Sequence, residues 1–315
     1  MELFLLFKQN HIFTMTDGHK IAATTYFPGN EKEIIGQFHI LHGMAEHQRR
    51  YEGFANYLSE LGYLVTTHDH RGHGDTAEEN GGLFGYFAER DGFERVVQDV
   101  HEVLQQLSVL HHEYPLTLFG HSMGSFIARR YTQHYSNELH RVIYCGTGAT
   151  TALHVAGNSV AKVLSRVQGG KTPSRIMNKL SFDSFNHNIA DAVTNFDWIC
   201  TDSQVVQKYI EDTQCGFIAT NQFFVDLTSG LITIANPREI KKVRPDLPIL
   251  FIAGSDDPVG ESGKGVYKVA AQYEQAGVKD VTVYMFEGMR HEILNERNKQ
   301  QVYDVVTRWM NNEEI

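Results

Sequence analysis

Long apolar runs are absent from this 315-residue chain. No stretch approaches the roughly 20 consecutive apolar residues that a membrane-spanning helix needs. The N-terminal run Leu3-Phe4-Leu5-Leu6-Phe7 is too short for a secretory apolar region, follows Glu2 where a basic segment would stand, and has no small-residue cleavage site behind it. It reads as a first strand or an ordered terminal extension. Cysteine is scarce: Cys145, Cys200 and Cys215 are odd in number and lack metal-ligand spacing, so free thiols in a reducing cytoplasm are expected and a disulfide framework is not. Basic residues are in deficit, 28 Lys and Arg against 38 Asp and Glu, for a net charge of −10. That balance argues against a nucleic-acid partner, which needs a basic face, and disfavours anionic membrane surfaces for the same reason. Internal repeats and low-complexity tracts are also missing. What remains is 42% hydrophobic and 21% charged, the composition of a globular protein long enough to bury a large core.

Strand and helix patterns alternate along most of the chain. Residues 12–15 and 20–27 flank Thr16-Asp17-Gly18-His19, whose Asp-Gly step signals an antiparallel hairpin. Apolar runs at 34–41, 63–67, 116–119 and 141–145 read as strands, with amphipathic helices at 51–61, 96–111 and 123–135 between them. From 150 to 237 the alternation stops. That segment holds helical patterns at 160–167, 203–210 and 220–234, many aromatic residues, and capping-box spacing at Thr201 and Gln204. Strands at 248–253 and 281–286 and helices at 264–275 and 300–310 resume the pattern. The expectation is an α/β fold: a mostly parallel doubly wound sheet with an antiparallel N-terminal hairpin, its core at 1–149 and 238–315, and a helical cap inserted at 150–237.

The pentapeptide Gly120-His121-Ser122-Met123-Gly124 sits where a strand gives way to a helix. In that context G-x-S-x-G is a nucleophile elbow, whose glycines admit a strained turn and a close strand-to-helix approach. The Met123 amide, in the first helical turn, faces the same way as the serine and can meet a developing oxyanion. Two further chemical groups follow later strands: an aspartate at 256 or 257 and His291. A serine hydroxyl is a weak nucleophile at neutral pH, so the histidine would take its proton while the carboxylate fixes the imidazole tautomer. Serine, acid, histidine is the chain order of the α/β-hydrolases.

Together with His42-Gly43-Met44-Ala45-Glu46-His47, Asp69-x-Arg71-Gly72-His73-Gly74, Gly254-Ser255-Asp256-Asp257 and Met289-Arg290-His291-Glu292-Ile293-Leu294-Asn295-Glu296, the elbow resembles the monoglyceride lipase and bacterial lysophospholipase group of α/β-hydrolases. The likeness covers both halves of the core and weakens across the insertion. It implies an α/β-hydrolase fold, Ser122, Asp257 and His291 as catalytic residues, and an oxyanion hole of the Met44 and Met123 amides. It also implies esters of monoacylglycerols or lysophospholipids as substrates, transient contact with lipid aggregates, and no cofactor.

His42 is expected to bond the loop that holds the Met44 amide or to fill a strand end, Glu46, His47 and Arg50 to tune loop electrostatics, and Arg71 to pair with Asp69. His68-x-His70-x-x-His73 approaches a zinc signature, but Gly72 stands where its aspartate belongs, so no metal is expected. His111, His112, His134 and His154 read as surface residues. His42 is also a candidate substrate-binding residue, and the cap aromatics, among them Phe182, Phe185, Trp198, Phe223 and Phe224, would bind an acyl chain unless they serve only as the cap's core. Rival readings are an amide or thioester hydrolase with the same residues, or a silent ligand-binding protein. A serine at the elbow disfavours haloalkane or epoxide chemistry, which needs aspartate there.

Overall fold

The computed structural model describes residues 7–29, 33–111, 114–187, 189–190 and 192–315. Most of the N-terminal apolar run and His112 therefore lie outside the described residues. Eight strands form one sheet: β1 (Phe7–Thr14), β2 (Lys20–Phe27), β3 (Gly36–Leu41), β4 (Tyr63–His68), β5 (Leu116–His121), β6 (Arg141–Cys145), β7 (Ile249–Gly254) and β8 (Val281–Phe286). Their spatial order is β1-β2-β4-β3-β5-β6-β7-β8. β1 and β2 pair antiparallel around the Asp17-Gly18 turn, β2 runs antiparallel to β4, and every later pairing is parallel. This is the expected mostly parallel sheet with an antiparallel N-terminal edge.

The helices are α1 (Glu52–Glu60), α2 (Gly74–Glu79), α3 (Gly92–His111), α4 (Met123–Tyr135), α5 (Ala152–Gln168), α6 (Arg175–Phe182), α7 (Ser203–Glu211), α8 (Asn221–Ile234), α9 (Pro237–Ile240), α10 (Lys264–Ala276) and α11 (Lys299–Met310). Alternate strand residues face opposite layers, as the two-residue period of a strand requires. Leu118, Val142 and Ile249 join the cluster made with α3, α4 and α10, while their neighbours Phe119, Ile143 and Leu250 join the cluster made with α1 and α11. Burial on both faces explains why these strands read as continuous apolar runs.

Between β6 and β7 lie α5 to α9. Asn158 on α5 donates to Thr228 Oγ1 and Ser229 Oγ of α8, and α8 in turn lays Phe223, Phe224, Leu231 and Ile234 into the same core cluster as α3 and α4. Gly230 is obligatory in that contact, because a Cβ there would stand 2.3 Å from the Phe93 ring. Three local expectations need correction. α5 starts at Ala152, eight residues before the predicted 160, because Thr151 and His154 cap it reciprocally. His154 is thus a partly buried capping residue and not a surface one. The cap of α7 is Asp202, whose side chain accepts from the Gln204 amide, while Thr201 binds Glu296 instead.

Candidate active site

Ser122 is placed by close packing around the elbow. β5 carries the chain two residues beyond the predicted strand end, to His121 paired with Cys145, and the Ser122 amide donates to Cys145 O at 2.9 Å. Ser122 then takes φ 52°, ψ −120°, and α4 starts at the next residue. A non-glycine residue held there stores of the order of 1–3 kcal/mol of strain. A Cβ on Gly120 would lie 2.3 Å from Gly124 O, and one on Gly124 would lie 2.3 Å from Leu41 O. Both glycines are therefore required by the approach of α4 to β5 and β3.

His291 and Asp257 arrive from the ends of neighbouring strands β8 and β7. The His291 Nδ1–H donates to Asp257 Oδ1 at 2.9 Å, and that oxygen also accepts from the Val259 amide at 2.9 Å. Both side chains are buried, whereas Asp256 is exposed and, among the described residues, accepts only from Ser255 Oγ. With Nδ1 committed, Nε2 is the ring nitrogen left for the pocket that His291 and Ser122 line together. Burial pushes the His291 pKa down, but the Asp257 charge and hydrogen bond, helped by Glu292 and Glu46, prevail and raise it above its ordinary 6.5.

The loop after β3 is fixed from several sides. His42 Nε2 accepts from the His70 amide at 3.0 Å, which places the ring proton on Nδ1, and Nδ1 donates to Gly43 O at 2.7 Å. That carbonyl belongs to the same peptide plane as the Met44 N–H, so His42 sets the direction of the amide. Burial keeps the His42 pKa well below 6.5 and the ring neutral. The Met44 and Met123 amides have no protein acceptor among the described residues. Glu46 Oε1 accepts from the Gly43 amide at 2.6 Å and from Tyr51 OH at 2.7 Å. Its other oxygen takes Arg50, which reaches on to both oxygens of Glu292 at 2.6 Å. A Glu–Arg–Glu bridge therefore ties this loop to the residue after His291.

The expected Arg71–Asp69 pair does not form. Arg71 pairs with Asp99 and Asp17, and buried Asp69 accepts from the amides of Gln48 and Asp75 at 2.8 and 2.9 Å. A carboxylate that close to its own loop satisfies backbone donors first. His68, His70 and His73 bond three different partners, His39, His42 O and Arg71 O, and share no centre. Among the described residues only His47, Asp212 and Cys215 bring three metal-type donor atoms within 4.8 Å of one another, and there His47 Nε2 and Asp212 Oδ2 pair at 2.9 Å.

Above Ser122 is a cavity of about 470 Å³ whose lining includes Met44, Phe182 and Trp198 of the expected residues. Phe185 is not in the lining but stands edge-on to Trp198, ring centres 4.9 Å apart. Phe223 and Phe224 are placed elsewhere, fully buried against Phe87 and the α3–α4 layer. His42, Asp257 and Met123 lie beneath the cavity, each buried. The lining also includes Phe196, Tyr209 and Phe217, the amides Asn178, Asn186 and Asn195, and the ionisable Glu46, Asp183, His187 and Glu292. Tyr209 was legible as the buried i+3 partner of Val206 on α7, but the asparagines carry no sequence signal.

The segment 197–201 is stitched to the histidine loop. The His291 and Glu292 amides donate to Trp198 O and Ile199 O at 3.4 and 2.6 Å, and Arg290 donates to Asp197 O and Cys200 O. Buried Glu296 accepts from the Thr201 and Arg290 amides, each at 3.0 Å. The Trp198 ring lies 5.1 Å from the His291 ring.

The chain is similar to proteins of a known family. The family described as serine aminopeptidase, S33, matches residues 32–298. The chain is 26% identical over 314 residues to a monoacylglycerol lipase of Mycolicibacterium smegmatis, covering 96% of this chain and 97% of that protein. It is 26% identical to the human monoglyceride lipase, covering 93% and 88% of the two chains. Among solved structures, a thermostable carboxyl esterase from Bacillus coagulans, in complex with glycerol, aligns with a TM-score of 0.90 at 28% identity, covering 97% of this chain and 98% of that one.

Proposed function

The chain belongs to the serine aminopeptidase S33 family of α/β-hydrolases, and from that premise we propose that it hydrolyses carboxylic esters of lipid-like substrates through an acyl-enzyme on Ser122. Ser122 Oγ attacks the ester carbonyl as His291 Nε2 accepts its proton. The oxyanion that forms takes the Met44 and Met123 N–H groups, and Asp257 steadies the imidazolium. The proton then goes to the leaving alcohol, and water, activated by the same histidine, releases the acid. The observation that carries this reading is the buried 2.9 Å Asp257–His291 pair behind a pocket that Ser122 and His291 line together.

The lining supports the substrate class. Phe182, Phe196, Trp198 and Phe217 give an acyl chain an apolar wall, at about 0.8 kcal/mol per buried methylene. Asn178 and Asn195 offer donors and acceptors to a polyol or phosphate head group, which fits a monoacylglycerol or a lysophospholipid, while Asn186 spends its amide on Thr194 O and the Trp198 N–H. An amide-cleaving reading follows from the family's aminopeptidase description, but the relatives above carry ester-cleaving names. Residues 150–237, with α5 to α7 over the sheet edge, act as the cap of a core made by 1–149 and 238–315. The cap's outer face favours transient contact with lipid aggregates: Leu153, Val160, Val163 and Val167 of α5 and Ile176 and Leu180 of α6 are exposed. The buried cysteines are all free, in keeping with a cytoplasmic location.

The test is turnover of p-nitrophenyl esters of graded chain length by wild type and Ser122→Ala, with labelling by a fluorophosphonate. Loss of about 10⁴-fold or more, and labelling of wild type only, is expected. Equal turnover in the two would end the assignment, and failure to label wild type would favour a silent binding protein. Product analysis on monoacylglycerol against lysophosphatidylcholine then selects the head group.

A further inference from the structure

The peptide that follows Ala45 is held from the cap. Ala45 has φ 53°, a left-handed conformation that an alanine does not adopt without support. Its carbonyl accepts two hydrogen bonds, from Tyr209 OH and from the Gly216 amide, each at 2.9 Å. Two residues farther on, His47 Nε2 pairs with Asp212 Oδ2 at 2.9 Å. All three cap groups come from α7 and the turn after it. Tyr209 is itself held, with the Arg50 guanidinium 4.9 Å over its ring and Phe196 at 5.1 Å on another side. From the core side, His42 and Glu46 grip the peptide units on either side of Gly43. The strained turn between Met44 and Glu46 thus has its core contacts before Met44 and its cap contacts after it.

We propose that Tyr209 is a positioning residue for the oxyanion loop, its hydroxyl holding the left-handed Ala45 carbonyl so that the Met44 N–H stays aimed at the reacting carbonyl. This rests on the reading of Met44 as an oxyanion donor. The cap is then part of the catalytic machinery as well as a cover for the substrate, because a displaced α7 lets the Ala45 peptide relax and turns the Met44 amide away. Positioning of this kind acts on the transition state, where the carbonyl oxygen carries charge, and leaves binding of the uncharged ester nearly unaltered.

Tyr209→Phe removes one of the two donors and keeps the ring on Arg50 and Phe196. For wild type, Tyr209→Phe, Asp212→Asn and Ser122→Ala, four quantities are measured: kcat and KM on a p-nitrophenyl ester, inhibition by an alkyl trifluoromethyl ketone, inhibition by the matching non-hydrolysable alkyl ether, and the melting temperature. The ketone adds the serine and becomes an oxyanion; the ether does not. In Tyr209→Phe, kcat falls by about 10-fold and the ketone weakens in step, with KM and ether binding within about 2-fold of wild type. Asp212→Asn shows the same split, to a smaller extent. Equal weakening of ketone and ether in Tyr209→Phe makes Tyr209 a plain substrate contact and overturns the proposal. So does unchanged kcat in a folded variant. If Ser122→Ala keeps its activity, or wild type ignores the ketone, the acyl-enzyme reading itself has failed; if only the Tyr209→Phe effect is missing, that reading stands and this inference alone falls.

Discussion

His291 is where two opposed effects meet. Its burial favours the neutral ring, the Asp257 carboxylate favours the charged one, and the carboxylate wins. Under the proposed mechanism the free enzyme uses the neutral ring as its base, so kcat/KM is expected to fall as pH drops through a pKa raised above 6.5, with the midpoint of the acid limb above that value. In Asp257→Asn that charge is gone while burial remains, so the limb moves to lower pH than in wild type, with Glu292 and Glu46 opposing part of the shift, and the rate drops by about 10³-fold or more. Asp256→Asn, at an exposed position, leaves both unchanged; a pH–rate profile of the two variants decides between them. The sequence could not choose between these adjacent aspartates by itself, because one residue of loop register separates a buried carboxylate from a solvated one. The elbow was different. Two glycines, each facing backbone at 2.3 Å if given a Cβ, are a steric requirement written into the residue types. Arg71 shows the opposite case: its partner Asp99 lies 28 residues on, and nothing local signals it.

At the scale of elements, the strands and helices of the core were legible because each strand is a buried apolar run and each helix an amphipathic stripe, although α3 starts four residues before the expected 96, β3 two residues after the expected 34, and β5 ends two residues past 119. α4, β6 and β8 match their predicted ranges. α6 was not legible. Its eight residues make only two turns, and although Ile176, Met177 and Leu180 share one side, the first and last are exposed and Met177 alone of the three is buried. The aromatic residues of the insertion could not be sorted into wall and core from sequence either, since both roles use the same side chains. The structure sorts them, and stability separates them. Phe223→Ala removes a fully buried ring packed 4.6 Å from Phe87 and is expected to cost about 3–5 kcal/mol in thermal unfolding, with KM for esters unchanged in the folded protein. Phe182→Ala, on the cavity wall, should leave the melting temperature almost in place and raise KM for long acyl chains more than for short ones. The reverse pattern would exchange their roles.

Across the whole molecule the charge is uneven. A net of −10 disfavours an anionic lipid surface, yet the 31 residues from 152 to 182 carry Lys162, Arg166, Lys171, Arg175 and Lys179 and no acid. These cations flank the exposed apolar residues of α5 and α6, so the average conceals a local surface of the other sign. Sedimentation with vesicles should therefore show tighter binding to phosphatidylglycerol-containing membranes than to pure phosphatidylcholine. Lys162→Gln with Arg166→Gln should weaken it about 30-fold, at roughly 1 kcal/mol per cation, with hydrolysis of a short soluble ester unaffected. Equal binding to both vesicles would remove charge from the account. The stitching of 197–201 to the histidine loop bears on how such a protein can be recombined. A chimera cut at 150 and 237 looks like an exchange of substrate covers, but it also replaces the backbone carbonyls that Arg290, His291 and Glu292 lean on. Grafting only α5 and α6, with residues 197–201 and α7 left native, keeps His291 in its mount, so new specificities are better sought in that smaller module.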